Sequence, residues 1–187
     1  MDYRKKVDED VHGILVLAAP WLGEVNAESL RSGAKFRWMQ LSGGALGAIR
    51  VVAVHAAAPV PGLTQDWSSD IATLRQRCEL GNGSNVLIGD FNATVDHSLL
   101  RSAISGCTDA AAERGQGLVA TWPSYFPQWL SVQIDHVFTS ADLRPASIEV
   151  LDIPGSDHRA LLSRVIVPSA LVDHELRLRC RSERMKS

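Results

Sequence analysis

Three short polar groups lie at the ends of predicted strands in this sequence, and their side chains are of the types that bind metal ions and move protons. The groups are Gly89-Asp90-Phe91-Asn92, Ile134-Asp135-His136 and Ser156-Asp157-His158, and His55 ends another apolar run. A sheet fixes the direction of a side chain at a strand end, while the following loop leaves that side chain open to a ligand. Carboxylates and an amide suit a hard metal ion, and histidine suits proton transfer near neutral pH.

Each group has an ordinary structural explanation when it is taken alone. An Asp-x-Asn sequence after an apolar run commonly forms a turn or a helix cap. An Asp-His pair is commonly a satisfied surface pair, and strand alternation would place His136 on the face opposite Asp135. The joint occurrence of the groups, in this order along the chain, is what indicates a shared site.

The combination resembles the endonuclease/exonuclease/phosphatase superfamily, the DNase I-like metal-dependent phosphoesterases. The motifs that carry the resemblance are Val54-His55-x-x-x-Pro59, Gly89-Asp-Phe-Asn-Ala93, Ile134-Asp-His-Val137 and Ser156-Asp-His158. The stretch from Asp109-Ala through Gly115-x-Gly117 to Thr121-Trp-Pro123 is similar to bacterial members. The resemblance extends over residues 10–167 and implies an α/β (α+β) sandwich of two sheets, with the active site at one edge.

The resemblance also implies hydrolysis of a phosphodiester or phosphomonoester with Mg²⁺ or Mn²⁺ as cofactor. The substrate would be a nucleic acid or a small phosphate ester. Asp90 would align the attacking water and support the metal, and Asn92 would donate its amide N–H to the phosphate beside that metal. Asp157 would bind the metal or support a ligand that does. A hard cation is expected because it neutralises the phosphate oxygens that repel a nucleophile.

The histidines would supply the proton transfer. By resemblance, His158 is the general base, and Asp135 fixes its tautomer and stabilises the imidazolium. His55 would contact the phosphate or the leaving group. By contrast, His12 and His174 have no partner in sequence and are expected to be exposed.

Two motifs of the superfamily do not occur in this chain: a first strand that carries an Asn, and a later strand that ends in Gln-Glu, whose Glu is a principal metal ligand. Residues 13–22 resemble the strand that follows the Glu motif. Glu24 and Glu28 come after that strand and are not expected to replace the ligand. The resemblance therefore predicts a sandwich that lacks its first strands, and it leaves two alternatives. The chain is either a metal-dependent phosphoesterase, a class that includes nucleases, or a truncated, catalytically impaired member or binding module.

The apolar patterns predict the elements that would hold these residues. Strands are expected at residues 12–19, 35–41, 48–55, 85–92, 132–139, 146–151 and 159–167. An amphipathic helix is expected at residues 66–80, and a second helix, capped by Asp96 beside His97, through about residue 105. The connection at residues 115–127 is irregular. It contains the aromatic residues Trp122, Tyr125 and Phe126, and Trp129 follows it closely. They would either stack bases or form a local hydrophobic plug, and the plug is favoured.

Composition sets the remaining limits. The chain has 187 residues, 45% hydrophobic and 21% charged, which is typical of one globular domain and excludes collagen-like, disordered and coiled-coil proteins. Nineteen Lys and Arg against 21 Asp and Glu give a net charge of -2, so contact with nucleic acid would have to be local. Residues 168–187 form a basic tail, expected to be a frayed helix, disordered or a small contact patch.

The cysteines and the apolar runs say little about location. Cys78, Cys107 and Cys180 are odd in number and widely spaced, which favours reduced thiols over a disulfide framework. The uncharged run at residues 11–23 contains Pro20 and is too short to cross a membrane, so neither a signal peptide nor a transmembrane helix is expected. Related bacterial proteins can carry membrane helices upstream of this domain. Localisation and oligomeric state therefore stay open.

Overall fold

Eight strands and four short helices make up the part of the chain that the structure describes. This computed structural model describes residues 13–31, 37–79, 83–168 and 171. The strands are β1 (Asn26–Arg31), β2 (Arg37–Ser42), β3 (Ile49–His55), β4 (Ser84–Asp90), β5 (Cys107–Asp109), β6 (Asp135–Ser140), β7 (Arg144–Leu151) and β8 (Ala160–Ile166). The helices are α1 (Thr64–Thr73), α2 (Arg75–Cys78), α3 (Ser98–Ala103) and α4 (Ala110–Glu113). Single 3-10 turns lie at Pro20–Leu22, Gly44–Leu46 and Gln128–Leu130.

The strands form two sheets. The larger sheet has the order β1-β2-β3-β4-β6-β5, and β7 and β8 pair as a separate antiparallel hairpin. Only β3 and β4 are parallel neighbours, and α1 and α2 make the crossover between them. A parallel pair needs such a long connection, whereas the antiparallel pairs can be joined by short turns. The predicted mixed α/β architecture with two sheets is confirmed.

The main core lies between one face of the larger sheet and the three helices α1, α2 and α3. Its sheet side includes Val52, Leu87 and Phe138, and its helix side includes Ile71 and Leu74, all fully or almost fully buried. Val52 in β3 and Leu87 in β4 alternate with less buried residues, which is the pattern of a strand whose two faces meet different surroundings. Burial of this apolar face is the main stabilising contribution to the fold.

The opposite face of the sheet carries a smaller core. Val137 of β6 packs there with Ala110 and Ala111 of α4 and with Ile148 of β7. The hairpin of β7 and β8 therefore covers this face near β6. As a result, the loop between β7 and β8 lies beside the end of β4 and the start of β6.

A disulfide joins Cys78, at the end of α2, to Cys107, at the start of β5. The expectation of reduced thiols is therefore wrong for these two residues. They are 29 residues apart in the chain, and the folding of α2 against the strand next to β6 is what brings them together. Pairing at this distance depends on tertiary structure and cannot be read from cysteine spacing.

Two local predictions are also wrong. Residues 13–19 form no strand, and Leu15 and Leu17 are largely exposed. An apolar run indicates burial, but a strand also needs a neighbouring strand, and neither described sheet pairs with this segment. Asp96 does not cap α3, because His97 is the N-cap residue and the helix begins at Ser98. The side chain of His97 forms no capping hydrogen bond to this helix. His97 Nδ1 instead accepts a hydrogen bond from the backbone N–H of Thr94 at 3.1 Å.

The other predicted strands and the helix at residues 66–80 are confirmed to within a few residues, although that helix is divided into α1 and α2. The sequence did not indicate β1, β5 or α4. His12, His174 and nearly all of the basic tail lie outside the described residues. Within the described ranges, no helix is both long enough and apolar enough to cross a membrane.

Candidate active site

Three neighbouring strands carry a row of polar residues at one edge of the larger sheet, where β3 and β4 end and β6 begins. His55 at the end of β3 lies opposite Asp90 at the end of β4, and Asp90 lies opposite Asp135 at the start of β6. Residues in register across a sheet point to the same face, so these three side chains leave the sheet together. That face is the one on which β7 and β8 pack. The loop between those two strands brings His158 to the same place.

Asp135 and His158 form a hydrogen-bonded pair. His158 donates its Nδ1–H to Asp135 Oδ2 at 2.8 Å, and both side chains are partly buried. The hydrogen bond to Asp135 raises the pKa of His158 above its ordinary value, with burial opposing the shift. Because the carboxylate holds Nδ1, the other ring nitrogen, Nε2, is the one able to accept a proton.

Asp90 is crowded by a second carboxylate. Burial, followed by the charge of Asp135, raises the pKa of Asp90 to about 6, against the lowering effect of an N–H bond from Asn92. Asp90, Asp135 and His158 each place a ligand atom within 4.8 Å of the other two. The sheet therefore holds together two carboxylates, Asp90 and Asp135, that repel each other in the absence of a cation.

The loop after β4 is held by Asn92. Its backbone N–H donates to Asp90 Oδ1 at 2.7 Å, and its side-chain amide donates to Asp90 Oδ2 at 3.2 Å and to the carbonyl of Ala56 at 3.0 Å. Asn92 has a φ of 47°, a conformation that asparagine tolerates better than most residues. These bonds fix the Asp90 carboxylate and tie the loop after β3 to the loop after β4.

Gly89 allows β3 and β4 to approach closely beside the site. Its φ is 138°, and a Cβ atom at this position would lie 2.0 Å from the carbonyl oxygen of Val54. Only glycine fits such a contact. The glycine before Asp90 is therefore part of what sets the position of that carboxylate.

Asp157 lies at the rim of the site and is exposed. Its Oδ2 accepts a hydrogen bond from Trp122 Nε1 at 3.4 Å, and its carbonyl accepts one from the backbone N–H of Ser124 at 2.7 Å. Its charge also acts on Asp90 and raises the pKa of that residue slightly, after the larger effects of burial and Asp135. Among the sequence-predicted residues, the structure brings Asp90, Asp135 and His158 to one point. Asn92 bonds to Asp90, His55 is in register with Asp90, and Asp157 lies on the outer side.

Two residues that sequence reasoning did not single out hold the Asp135–His158 pair in place. The buried Thr121 Oγ1 accepts the backbone N–H bonds of Ile134 and Asp135, each at 3.1 Å. The carbonyl of Thr121 accepts the N–H of Arg159 at 2.8 Å. Thr121 thereby connects the start of β6 to the residue that follows His158. The only feature of the sequence that could have indicated a role for Thr121 is its position in the Thr121-Trp-Pro123 motif.

Arg159 binds the loops on either side of the Asp135–His158 pair. Its guanidinium is largely buried and donates to the carbonyls of Ala120 at 3.1 Å and Ser124 at 2.8 Å, and to Asp152 Oδ1 at 2.9 Å. A buried cation with these partners is satisfied. The loop that carries Trp122 and the loop that carries His158 are consequently fixed to each other.

Other candidate residues lie away from the site. His136 points to the opposite face of the sheet, where it is fully buried and hydrogen-bonded through Nε2 to the carbonyl of Ala93 at 2.9 Å. Glu24 and Glu28 are not in the three-residue cluster. Glu28 lies on β1, two strands away from β3, opposite Gln40, the residue whose side chain bonds Arg77. Glu28 is therefore on a different part of the larger sheet from the cluster.

The aromatic loop, residues 122–132, does not form a plug. Trp122, Tyr125, Phe126 and Trp129 are all exposed. The expectation failed because polar bonds, not ring packing, hold this loop. Ser131 Oγ donates to the carbonyl of Pro123 at 2.9 Å, and Arg159 binds the loop carbonyls described above.

The donor set fits a hard divalent cation. Mg²⁺ and Mn²⁺ prefer carboxylate, amide and water oxygens. Asp90 is the carboxylate best placed to serve one, because Asp135 already accepts the N–H of His158. A cation beside Asp90 would offset the repulsion that contributes to its raised pKa.

Comparison with known proteins identifies the family and the fold. The family model described as "Endonuclease/Exonuclease/phosphatase family" matches residues 9–158. No curated protein matches the sequence. An endonuclease/exonuclease/phosphatase from Bacteroides vulgatus is similar in structure, with a TM-score of 0.56 and 16% identity over 79% of this chain and 66% of that one.

Two further structures share the fold. The human Nocturnin catalytic domain with bound sulfate has a TM-score of 0.51 and 18% identity, over 76% of this chain and 59% of that one. An AP endonuclease from Archaeoglobus fulgidus has a TM-score of 0.52 and 13% identity, over 70% and 65%. The chain therefore spans less than two thirds of the length of each of these three structures. With the family model matching most of its length, the chain belongs to the endonuclease/exonuclease/phosphatase family.

Proposed function

We propose that this protein hydrolyses a phosphate ester with the help of a divalent cation, Mg²⁺ or Mn²⁺. The observation that carries the proposal is the meeting of Asp90, Asp135 and His158 at one point, with the last two hydrogen-bonded at 2.8 Å. A carboxylate, a histidine and a second carboxylate that orients it are the groups that water activation at a phosphate requires.

In this proposal His158 is the general base. Its Nε2 takes a proton from water as the water oxygen forms a bond to phosphorus, and the ester P–O bond breaks. The leaving oxygen then receives a proton, so the products are an alcohol and a phosphate with one fewer ester bond. Asp135 keeps Nδ1 protonated and stabilises the imidazolium that forms.

Asp90, Asn92 and Asp157 would hold the cation. When bound, the cation would neutralise charge on the phosphate oxygens and so lower the barrier to attack. Asp90 would also orient the water, and the Asn92 amide would turn from its intramolecular bonds toward the phosphate. His55, in register with Asp90, would contact the phosphate or the leaving oxygen.

Hydrolysis of bis(p-nitrophenyl) phosphate and p-nitrophenyl phosphate, with and without Mn²⁺, tests the proposal. We expect cation-dependent turnover that falls about 100-fold or more in His158→Ala, the range that general base catalysis contributes. His97→Ala is the matched control, because His97 is exposed and lies at the start of α3, outside the cluster. Equal turnover in the two variants would refute His158 as the base.

A second candidate is a protein that binds phosphate esters without turnover. The observation in its favour is that, among the described residues, the cluster includes no glutamate. Calorimetric titration with Mn²⁺ and an unreactive phosphate ester separates the two. Binding without any hydrolysis would support the second candidate, whereas turnover that depends on His158 would exclude it.

A further inference from the structure

The aromatic loop is an exposed apolar surface close to the site. Within it, 79% of Trp129 and 69% of Tyr125 are exposed, and Phe126, Leu130 and Val132 are exposed as well. Several large apolar side chains exposed on one short loop are uncommon at an ordinary protein surface. Such a patch indicates that something apolar covers the loop when the protein works.

The exposure does not come from a loosely attached segment. Arg159 and Ser131 bond to the loop carbonyls from below, and the residues at its two ends, Trp122 and Val132, pair as an antiparallel bridge. Tyr125 and Phe126 contact each other edge to face, with ring centroids 4.9 Å apart. The loop presents its rings in a fixed arrangement, which lowers the entropy lost when it binds.

The loop also touches the site. The ring of Trp122 lies 6.4 Å from the ring of His158, and its Nε1 donates to Asp157. A molecule seated on the loop beside Trp122 therefore lies next to the groups that would act on a phosphate. A protein partner seated there would obstruct the site, so the occupant is better understood as the apolar part of the substrate or the surface that carries the substrate.

The absence of charged residues from the aromatic loop and from the residues that flank it in sequence indicates which class of molecule the loop binds. Residues 115–134 contain no Asp, Glu, Lys, Arg or His. A nucleic acid brings further phosphates along its backbone, and proteins that bind single strands pair their aromatic residues with cationic ones. A segment that carries tryptophan and tyrosine and has no charged residue of its own instead suits the boundary between lipid and water, where an apolar ring carries a polar edge.

We infer that the aromatic loop docks this protein on a lipid surface, and that the site acts on the phosphate ester of an amphiphilic lipid held at that surface. The inference rests on the proposed function for the reaction, but the docking itself needs no turnover. This difference allows the two to fail separately.

Flotation with neutral phosphatidylcholine vesicles tests the docking. We expect the protein to float with the vesicles, and Trp129→Ser to weaken the binding about 10-fold, because one large apolar side chain no longer leaves water. Tyr125→Ser is a second variant, expected to act in the same direction. Circular dichroism melting checks that each variant is folded.

Trp21→Ser is the matched control. Trp21 is 78% exposed, like Trp129, but it lies in the Pro20–Leu22 turn, which packs beside Gly44–Leu46 at the end of the sheet where β3 begins. The site is at the other end of β3. Wild-type binding in Trp21→Ser together with weaker binding in Trp129→Ser would support the inference.

Three results would overturn the inference: no flotation of the wild-type protein, an equal loss in Trp21→Ser, or binding of a single-stranded oligothymidine that Trp129→Ser abolishes. The last would assign the loop to nucleic acid. His158→Ala is expected to float like the wild type. If that variant hydrolyses soluble esters as fast as the wild type, the proposed reaction fails while the docking result stands.

Discussion

Asp135 and His158 are 23 residues apart in the chain, yet Nδ1 of the histidine lies 2.8 Å from Oδ2 of the aspartate. Neither residue reaches the other by local structure. Asp135 begins a strand of the larger sheet, and His158 lies in the loop of the separate hairpin. Thr121 connects the two backbones, because its hydroxyl binds the N–H of Asp135 and its carbonyl binds the N–H of Arg159. The pair therefore depends on the packing of the hairpin on the sheet.

Asp135→Asn should change the pH dependence of turnover. The bond to Asp135 raises the pKa of His158, so wild-type activity should rise with pH through a value above the ordinary histidine pKa of about 6.5, as the base loses its proton. In Asp135→Asn this limb should move to lower pH, and the maximal rate should fall about 100-fold or more because the ring is no longer oriented. Asp96→Asn, an exposed aspartate outside the cluster, is the control. An unmoved limb would contradict the role given to Asp135.

Asp90→Asn should stabilise the protein when divalent cations are removed. The pKa of Asp90 is raised from 3.8 to about 6, so the folded state holds this proton more tightly than the unfolded state. Stability from this residue is therefore present below about pH 4 and is lost as the pH rises toward 6. Above that range, the free energy of unfolding of Asp90→Asn should exceed that of the wild type by about 1–3 kcal/mol.

Urea unfolding in EDTA at several pH values measures this difference. The gap between the two proteins should open between about pH 4 and 6 and then stay constant. Added Mn²⁺ should stabilise the wild type more than the variant, because the variant has lost a charged ligand. A variant that is less stable than the wild type at pH 7 in EDTA would show that repulsion at Asp90 has been overestimated.

Thr121→Val should destabilise the protein and slow it. Valine has a similar shape but no oxygen, so two backbone N–H groups that share the buried Thr121 hydroxyl lose their acceptor. The expected loss is about 1–3 kcal/mol of unfolding free energy, together with a lower kcat. Thr121→Ser keeps the oxygen and should restore most of the activity. If Thr121→Ser and Thr121→Val have equal kcat values, the hydroxyl does not position Asp135.

Gly89→Ala should be far more damaging than the same change at Gly62. Both glycines have positive φ, but a Cβ at Gly89 meets the carbonyl of Val54 at 2.0 Å, whereas nothing lies within 4 Å at Gly62. We expect Gly89→Ala to cost about 2 kcal/mol more than Gly62→Ala, because β3 and β4 must separate. Thermal melts of the two variants give the comparison. Equal melting temperatures would mean that the strands yield easily at this point.

Reduction of the disulfide should lower stability. The bridge closes a loop between residues 29 apart, for which the chain-entropy relation gives roughly 3–4 kcal/mol. Unfolding in urea with and without dithiothreitol measures the effect. The double variant Cys78→Ala, Cys107→Ala should be less stable than the oxidised wild type and insensitive to dithiothreitol. A wild type that is unaffected by reduction would show that the bridge contributes little.

The amino-acid sequence by itself determined where most of the strands lie and which polar residues flank them. Apolar runs with β-branched residues located β3, β4, β6 and β8, because strand formation and burial depend on residues close in the chain. The candidate residues lie at the end of β4, at the start of β6 and before β8, and the structure brings Asp90, Asp135 and His158 among them together. The alternation of β6 also indicated that His136 points away from Asp135, and the structure confirms it.

Only the tertiary structure decided what those residues meet. The Cys78–Cys107 pair, the hold of Thr121 and Arg159 on the two loops, and the exposure of Trp129 all involve elements that are distant in sequence. Residues 13–19 failed as a strand for the same reason, since apolar character is local but a pairing partner is not. The local sequence pattern permits many long-range contacts equally, and only the packing of the elements determines which of them form. For that reason the contacts within the site could not be predicted without the fold.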